Sequence, residues 1–424
     1  MIRILIYNDD LREAIFQRAM AESNVGGVVA DILADVRQGG DKAVLAYNDR
    51  FDGANGAPLR VTETELERAV HGVDADFLGV LQRAADNIRA FHEKQVRSGF
   101  VISEKEGVLL GQKVLPLAAV GLYVPGGTAS YPSSVLMNAI PAKLAGVRRI
   151  VMATPAKGGV IPREILAAAR LAGVNEIYRV GGAQAIGALA YGTETIGRVD
   201  KIVGPGNAYV AEAKRQVHGV VDIDMIAGPS EILIVADESC NPVWVAADML
   251  SQAEHDQNAS AVLITVSRQL AVRVQEELER QIPLLPRAAI ARASIENNGK
   301  IVLAASIAQA IDIANDLAPE HLELCLNAPF DYLDRVRCAG SVFLGKYAPE
   351  ALGDYFAGPN HVLPTSGTAR FSSPLSVDDF VKKYSFTYYT AAALSKVQKD
   401  IQAFAAREGL DAHARSVAVR FEEA

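Results

Sequence analysis

Residues 149–182 read RIVMATPAKGGVIPREILAAARLAGVNEIYRVGG, and this stretch decides the fold. Residues 149–155 have the continuous apolar character of a buried strand, and residues 162–171 have the spacing of a helix. A second apolar strand begins at Glu176 and ends at a Gly-Gly turn. Two buried strands joined by a helix of this length predict a right-handed parallel βαβ unit.

The same alternation of strands and helices extends over most of the chain. Further strands are predicted at 120–125, 201–203, 231–236, 259–266, 300–303 and 340–345, with helices at 183–190, 207–217, 242–252 and 307–316. This order predicts an α/β fold with parallel sheets and helices on their faces. It also indicates two α/β units, one formed by 1–122 with 236–374 and the other, 123–235, inserted into it.

Both flanks of the alternating region are predicted to be helical. Helices with a charged face are expected at 28–37, 65–70 and 77–98, and they are grouped with the first unit. After about Ser376 the pattern predicts no further strand, and helices are expected at 378–383, 391–406 and 412–420. Residues 375–424 are therefore predicted to form a small helical tail.

Composition excludes several classes of protein. The chain has 424 residues and a formal net charge of −8, without a basic stripe, which argues against a nucleic-acid partner. Its three cysteines show no close pairing, as expected for reduced thiols. No segment has the roughly 20 apolar residues that span a bilayer, and the apolar start is too short for a signal peptide. We therefore expect a cytoplasmic protein without a membrane partner.

Gln252 and His255 lie three residues apart near the end of a predicted helix, so both side chains point to one face. This spacing suits two ligands of one metal ion, but it suits an exposed polar patch equally well. Asp354, which follows a predicted strand, and His413 are candidates for the remaining ligands. We expect Asp354 beyond the carboxyl end of that strand, where α/β folds place ligands. Such a set favours zinc, although cobalt and manganese use the same ligand types.

Glu320 and His321 are adjacent and follow Pro319. Two proton acceptors side by side suit the oxidation of an alcohol, because hydride leaves easily only as the hydroxyl proton is removed. The alternative is that Pro319 and Glu320 merely begin a helix and interact with its dipole. The residues alone slightly favour that alternative.

Four glycine-rich turns follow or precede the predicted strands. They lie at 125–127, 180–184, 203–207 and 227–231. Their backbone amides, with the dipole of a following helix, are suited to a pyrophosphate. Because the Gly-x-Gly-x-x-Gly pattern is missing, they are only suggestive of a dinucleotide.

Together, these segments resemble the histidinol dehydrogenase family. The motifs are VGLYVPGGTASYPSSVLMN (120–138), GGAQAI (181–186), GPGNAYV (204–210), AGPSE (227–231), QAEHD (252–256), PEHLE (319–323), GDYFAGPNHVLPT (353–365) and EGLDAHA (408–414). They follow the family's order over nearly the whole chain, and no position that matters departs from the pattern.

The resemblance implies an NAD-linked, zinc-dependent enzyme that oxidises L-histidinol through L-histidinal to L-histidine, the last step of histidine biosynthesis. Its fold would be a pair of incomplete Rossmann-like domains, with a tail that crosses to the partner in a homodimer. The implied roles are zinc binding by Gln252, His255, Asp354 and His413, acid/base work by Glu320 and His321, histidinol contacts by Ser230, His361 and Glu408 together with His321 and the four zinc ligands, and NAD contacts by Tyr123, Gln184 and Asn207.

Two other functions remain open at this point. A related zinc dehydrogenase could oxidise a different small alcohol, such as a sulfonated diol, although Ser230, His361 and Glu408 favour histidinol. The second is a metal- or nucleotide-binding protein without catalytic activity. Such a protein would be marked by the loss of an acid/base residue, whereas Glu320 and His321 are both present. NAD and NADP are not distinguished by the residues themselves.

Overall fold

The computed structural model describes residues 1–8, 25–126 and 130–422. The chain separates into two compact units. The larger unit comprises Met1–Gln95 and Leu117–Phe380, and the smaller comprises Val96–Pro116 and Val381–Ala424. Each unit is formed from two separate pieces of the chain.

The strands, in chain order, are β1 (Arg3–Ile6), β2 (Phe100–Ile102), β3 (Val108–Pro116), β4 (Ala119–Tyr123), β5 (Arg149–Thr154), β6 (Glu176–Arg179), β7 (Lys201–Val203), β8 (Asp222–Ile223), β9 (Glu231–Ala236), β10 (Ser260–Thr265), β11 (Lys300–Leu303), β12 (His321–Cys325), β13 (Ser341–Leu344) and β14 (Val381–Tyr389). The α-helices are α1 (Gly26–Asp52), α2 (Glu63–His71), α3 (Ala75–His92), α4 (Pro132–Leu144), α5 (Arg163–Ala172), α6 (Gly182–Tyr191), α7 (Ala208–Val217), α8 (Pro242–Ala253), α9 (Arg268–Gln281), α10 (Ala288–Asn297), α11 (Ile307–Leu317), α12 (Phe330–Leu333), α13 (Glu350–Tyr355), α14 (Ala391–Arg407) and α15 (Asp411–Ala418).

The larger unit contains two open parallel sheets. The first has the strand order β1-β11-β10-β9-β12-β13 and the second the order β6-β5-β4-β7-β8. The predicted α/β fold with parallel sheets is confirmed, and residues 149–182 form β5, α5 and β6 as expected. The central strand β9 is buried along its whole length, as its apolar sequence requires. Strands β1, β8 and β12 of these sheets were not predicted.

The N-terminal helices pack on the second sheet, whereas the sequence grouped them with the first. Val29, Leu33 and Val36 of α1 share a core with Ile186 and Leu189 of α6. Helices α2 and α3 pack in the same way against α5 and α4. Their apolar stripes therefore cover the faces of β4, β5 and β6. The strand β4 begins at Ala119, so residues 119–122 also belong to this sheet. The predicted division into domains, with 1–122 and 236–374 in one, 123–235 in the second and 375–424 in the third, stays a prediction.

The smaller unit corrects the prediction of an all-helical tail. The prediction that strands stop after Ser376 is wrong, because residues 381–389 form β14, which pairs antiparallel with β3. Only a short 3-10 turn, Val377–Phe380, occupies the predicted helix at 378–383. The helices at 391–407 and 411–418 are confirmed. The strand was missed because its partner β3 lies about 270 residues away in sequence, and only the pairing reveals it.

Among the helices described, none combines the length and the apolar character that crossing a membrane requires.

Candidate functional site

Glu320 and His321, the predicted acid/base pair, lie at the amino end of β12, beside the amino end of β9. The backbone N–H of Glu231 donates to Oε2 of Glu320 at 2.8 Å, and Nδ1 of His321 lies 2.9 Å from the carbonyl oxygen of Glu231. A carbonyl oxygen only accepts, so Nδ1 carries the ring proton. Nε2 of His321 is therefore the basic atom, and within the described residues it has no hydrogen-bond partner.

The chain reaches His321 through an unusual turn. Ala318 ends α11 with a φ of 47°, a left-handed conformation that a non-glycine residue adopts at a cost of about 1–3 kcal/mol. Pro319 disfavours a right-handed helical conformation at Ala318, and β12 begins two residues later at His321. The alternative interpretation, in which Glu320 begins a helix, is therefore wrong. The strained backbone of Ala318 therefore lies only three residues before His321.

Two carboxylates face the basic nitrogen of His321. Oδ1 of Asp354 lies 3.8 Å from Nε2, and Oε1 of Glu350 lies 3.9 Å from it. Both side chains belong to α13, four residues apart and so on one face of the helix. A Cβ on Gly353 would lie 2.6 Å from the ring of Phe343 on β13, so glycine is what allows α13 to approach the sheet. The cluster is positioned by this close packing.

Burial and charge change the pKa values of the pair at the head of β12. Burial raises the pKa of Glu320 to about 7, against the opposing effects of His321 and the Glu231 N–H. Burial lowers the pKa of His321, but Glu320, Asp354 and Glu350 outweigh it and raise this pKa to about 10. Glu320 can therefore hold or release a proton near neutral pH, which is what acid/base catalysis requires.

The two carboxylates on α13 differ in charge state. Burial raises the pKa of Glu350 to about 8, helped by the charge of Asp354 and opposed by His321. Burial acts the same way on Asp354, but the interaction with His321, whose Nε2 lies 3.8 Å away, and the charge of His361 hold its pKa below the ordinary range. Asp354 is therefore the permanently ionised member of the cluster.

The chemistry of this cluster fits a divalent cation. One ligand atom each from His321, Glu350 and Asp354 lies within 4.8 Å of the others. Oε1 of Gln252 is buried and without a hydrogen-bond partner among the described residues. Buried oxygen and imidazole donors that converge without partners of their own are expected where a metal ion binds.

Gln252 and His255 are not an exposed polar patch. Gln252 is only 1% exposed in the last turn of α8, and α8 packs against α13. The helix ends at Ala253, so His255 follows it in a loop. Burial lowers the pKa of His255, which also interacts electrostatically with Asp354 and His321. A neutral imidazole is the form that ligates metals. The structure therefore brings Gln252, His255 and Asp354 into one region.

His361 connects this region to the second sheet. Its Nδ1 lies 3.1 Å from the carbonyl oxygen of Asp354, and its Nε2 lies 3.3 Å from the hydroxyl of Ser134 on α4. Because Nδ1 must donate to the carbonyl, Nε2 accepts from Ser134. Ser230 directly precedes Glu231 and is partly exposed. Ser230 and His361, two of the predicted histidinol contacts, therefore border the cluster.

Glu408 and His413 lie in the smaller unit. Both line a surface cavity of about 420 Å³, together with Phe404, Ile401 and Leu410. The structure brings these two residues together on α14, α15 and the turn between them.

The three predicted NAD contacts lie at the carboxyl ends of the second sheet. Tyr123 ends β4, Gln184 lies in the first turn of α6, and Asn207 is the N-cap of α7. Only Asn207 is exposed, whereas Tyr123 and Gln184 are buried. The backbone N–H of Gly182 donates to the hydroxyl of Tyr123 at 3.1 Å. The glycine-rich turns at 180–184 and 203–207 follow strands and open helices, as expected, and that at 125–127 extends beyond the described residues.

Sequence reasoning missed three polar residues of the site. Glu350 accepts a hydrogen bond from the Ser251 hydroxyl at 3.0 Å and faces His321, and Ser134 contacts His361. No helix was predicted at 350–355, and a single acidic residue there carries no signal of its own.

The expectation that Asp354 lies beyond the carboxyl end of the strand it follows is wrong. His321 and Glu231 are the first residues of their strands, and α13 returns Asp354 to that amino edge. The second sheet, in contrast, presents its carboxyl ends, as expected. A base at one sheet edge, cation donors beside it and glycine-rich turns at the edge of a second sheet define an α/β oxidoreductase.

Comparisons with known proteins identify the family. The family model for histidinol dehydrogenase matches residues 16–421. The histidinol dehydrogenase of Bacillus cereus is 56% identical over 422 residues, which are 100% of this chain and 96% of that protein. That of Listeria monocytogenes is 57% identical over 396 residues, 93% and 92% of the two chains. The crystal structure of histidinol dehydrogenase from Elizabethkingia anophelis superposes with a TM-score of 0.94 at 38% identity, covering 99% of this chain and 98% of that one. The chain belongs to the histidinol dehydrogenase family.

Proposed function

We propose that the protein oxidises L-histidinol to L-histidine through L-histidinal, with zinc and two molecules of NAD⁺, as the last step of histidine biosynthesis in the cytoplasm. The observation that carries the proposal is the position of His321. Its Nδ1 is bound to a backbone carbonyl, and its basic Nε2 faces a buried group of metal-binding side chains. Membership of the family supports the choice of substrate.

Zinc would be held by Gln252, His255 and Asp354, with His413 supplied by a partner subunit. The alternative group, His321 with Glu350 and Asp354, would occupy Nε2 of His321 and remove the base. We therefore favour the first set, which the unpartnered Oε1 of Gln252 and the lowered pKa of His255 support. Bound there, zinc would supply an anchor for the amine and imidazole of the substrate.

Nε2 of His321, in the form that has lost its own proton, removes the hydroxyl proton of the alcohol, while the hydride leaves the carbon that bears the hydroxyl. A zinc ion bound by Asp354 would offset the carboxylate charge that raises the pKa of His321 and so favour this form. Nδ1 keeps its proton and its bond to Glu231, so the ring stays in position when Nε2 becomes charged. Glu320, whose pKa is about 7, then takes a proton from the water that hydrates the aldehyde. His321 acts as base again in the second oxidation. NAD⁺ would supply the acceptor for each hydride.

The cofactor would bind along the carboxyl ends of the second sheet, near Tyr123, Gln184 and Asn207. Asn207 is exposed there, and the glycine-rich turns at 180–184 and 203–207 lie at the same edge. Burial of Tyr123 and Gln184 supports a role in shaping this edge, with Asn207 as the direct side-chain contact.

A homodimer would complete each site, with Glu408 binding histidinol and His413 binding zinc in the other subunit. The smaller unit is a three-stranded sheet with two helices, and it exposes many apolar side chains. Phe404 is 71% exposed and Val101 63%, and Phe100, Tyr388 and Leu410 are also exposed. Apolar surface of this extent favours burial against a second copy.

One assay tests the proposal. The purified protein with L-histidinol and NAD⁺ should form about two NADH per histidinol, and metal analysis should find one zinc per chain. A chelator should abolish the activity, and zinc should restore it. Formation of a single NADH, or activity on a sulfonated diol instead, would favour the related dehydrogenase. Full activity without bound metal would overturn the zinc site.

A further inference from the structure

A buried ion pair lies beneath the glycine-rich turn at 203–207. The ammonium of Lys214 on α7 contacts the carboxylate of Asp224, and the two side chains are 2% and 1% exposed. Lys214 also donates to the carbonyl oxygen of Gly204 at 3.0 Å, and Oδ2 of Asp224 accepts the N–H of Gly204 at 2.7 Å. The pair therefore binds both the N–H and the carbonyl of one glycine.

Gly204 itself has little freedom to move. Its φ is 111°, in the region that favours glycine, and a Cβ there would lie 2.1 Å from the carbonyl oxygen of Tyr123. Three residues later, Oδ1 of Asn207 accepts the N–H groups of Tyr209 and Val210 and caps α7. The turn 204–207 is thus attached to the fold at both ends, while Asn207 is exposed between strand and helix.

An ion pair is a costly way to stabilise a fold. Removing both charges from water costs several kcal/mol per ion, and an apolar pair of similar volume is often as stable. Methionine at 214 and an apolar residue at 224 would fill this space without that cost. They would not bind the two polar groups of Gly204. The charges of Lys214 and Asp224 are therefore best explained by the position they impose on the turn.

We propose that Lys214 and Asp224 are positioning residues for dinucleotide binding. They act through Gly204, holding the turn 204–207 and its exposed Asn207 in the conformation that receives the cofactor. This inference rests on the proposed function, since it requires that NAD binds at the carboxyl edge of the second sheet. It adds two residues that need not touch the cofactor themselves.

The test compares Lys214→Met with Arg149→Met in the full-length protein. Arg149 at the amino end of β5 pairs with Glu176 at the amino end of β6, the opposite edge of the same sheet. NADH binding is followed by fluorescence, histidinol binding by calorimetry, and stability by thermal unfolding. We expect Lys214→Met to weaken NADH binding about tenfold or more, the scale of one lost charged hydrogen bond, with zinc content and histidinol affinity unchanged.

Arg149→Met should lose stability and keep its NADH affinity. The double variant Lys214→Met/Asp224→Asn leaves no buried charge behind, so it should recover stability without recovering NADH affinity. If Lys214→Met fails to fold, the double variant takes its place in the comparison. Wild-type NADH affinity in either Lys214 variant, or equal weakening by Arg149→Met, would overturn the inference. If the unaltered protein binds no NADH at all, the proposed function itself fails.

Discussion

Two substitutions of His321 separate its two nitrogens. In His321→Asn, the amide nitrogen can occupy the place of Nδ1 and donate to the Glu231 carbonyl, while nothing replaces Nε2. In His321→Gln, the amide can reach the place of Nε2, and the carbonyl of Glu231 loses the hydrogen bond from the side chain. Nδ1 of His321 lies 2.9 Å from the carbonyl oxygen of Glu231, and Nε2 makes no hydrogen bond with any described residue. The two variants therefore test base and anchor separately.

Both variants should lose most of their turnover, because neither amide is a base. General-base catalysis contributes about 10²–10⁴ in rate, so kcat should fall by roughly that factor in each. Their stabilities should differ. The hydrogen bond between the His321 ring and the buried Glu231 carbonyl is worth about 0.5–1.5 kcal/mol, so His321→Gln should be the less stable of the two by about that amount.

Steady-state NADH formation as a function of pH measures the first effect, and urea unfolding of the zinc-loaded protein measures the second. The unaltered enzyme should gain rate with rising pH as Nε2 loses its proton, and His321→Asn should lack this titration while binding histidinol nearly normally. Near-normal turnover of His321→Asn at neutral pH would refute the assignment of the base. Equal stability of the two variants would refute the anchoring role of Glu231.

Three further predictions concern other parts of the molecule. Mixing His321→Asn chains with His413→Ala chains should restore partial activity through hybrid dimers, and no recovery under conditions where subunits exchange would contradict the shared site. Gly353→Ala should push α13 from Phe343, lowering stability by about 1–3 kcal/mol and weakening zinc binding, as thermal unfolding and metal titration would measure. The hydrogen bond from Arg149 lowers the pKa of Glu176, so its stabilising effect is present above the unfolded pKa and is lost as pH falls through the folded one. Glu176→Gln should therefore be less stable at neutral pH, with a stability that changes less on acidification, and identical acid profiles would contradict this.

Local patterns predicted most strands of the parallel sheets, because those strands and the helices between them carry their own periodicity, but they did not predict β1, β8 or β12. The strand β14 lacked such a signal, since residues 381–389 are mostly exposed on both faces and pair with a segment far away in sequence. The helices before residue 95 could be located from their periodicity, but the sequence did not indicate the sheet on which they pack. An amphipathic stripe indicates that a face is buried, without indicating its partner.

The structure brings several of the predicted side chains into one region, but the sequence did not predict how they are arranged there. Spacing placed Gln252 and His255 on one face of a helix, but the burial that removes the exposed-patch interpretation depends on α13 packing against α8. Glu350 could not be found, because its approach to His321 depends on the turn before α13 and on the absence of a side chain at Gly353.

The identity of the basic nitrogen follows from backbone register. Parallel pairing aligns His321 with Ile232, and this places the carbonyl of the preceding residue, Glu231, beside Nδ1. A slip of one residue would turn His321 to the other face of the sheet and remove that acceptor. The buried apolar residues that alternate with it on β12, Leu322 and Leu324, oppose the slip because both belong to one core. The packing of β12 therefore determines which nitrogen of His321 can take a proton, and any substitution that loosens this core should change the pH profile as well as the stability.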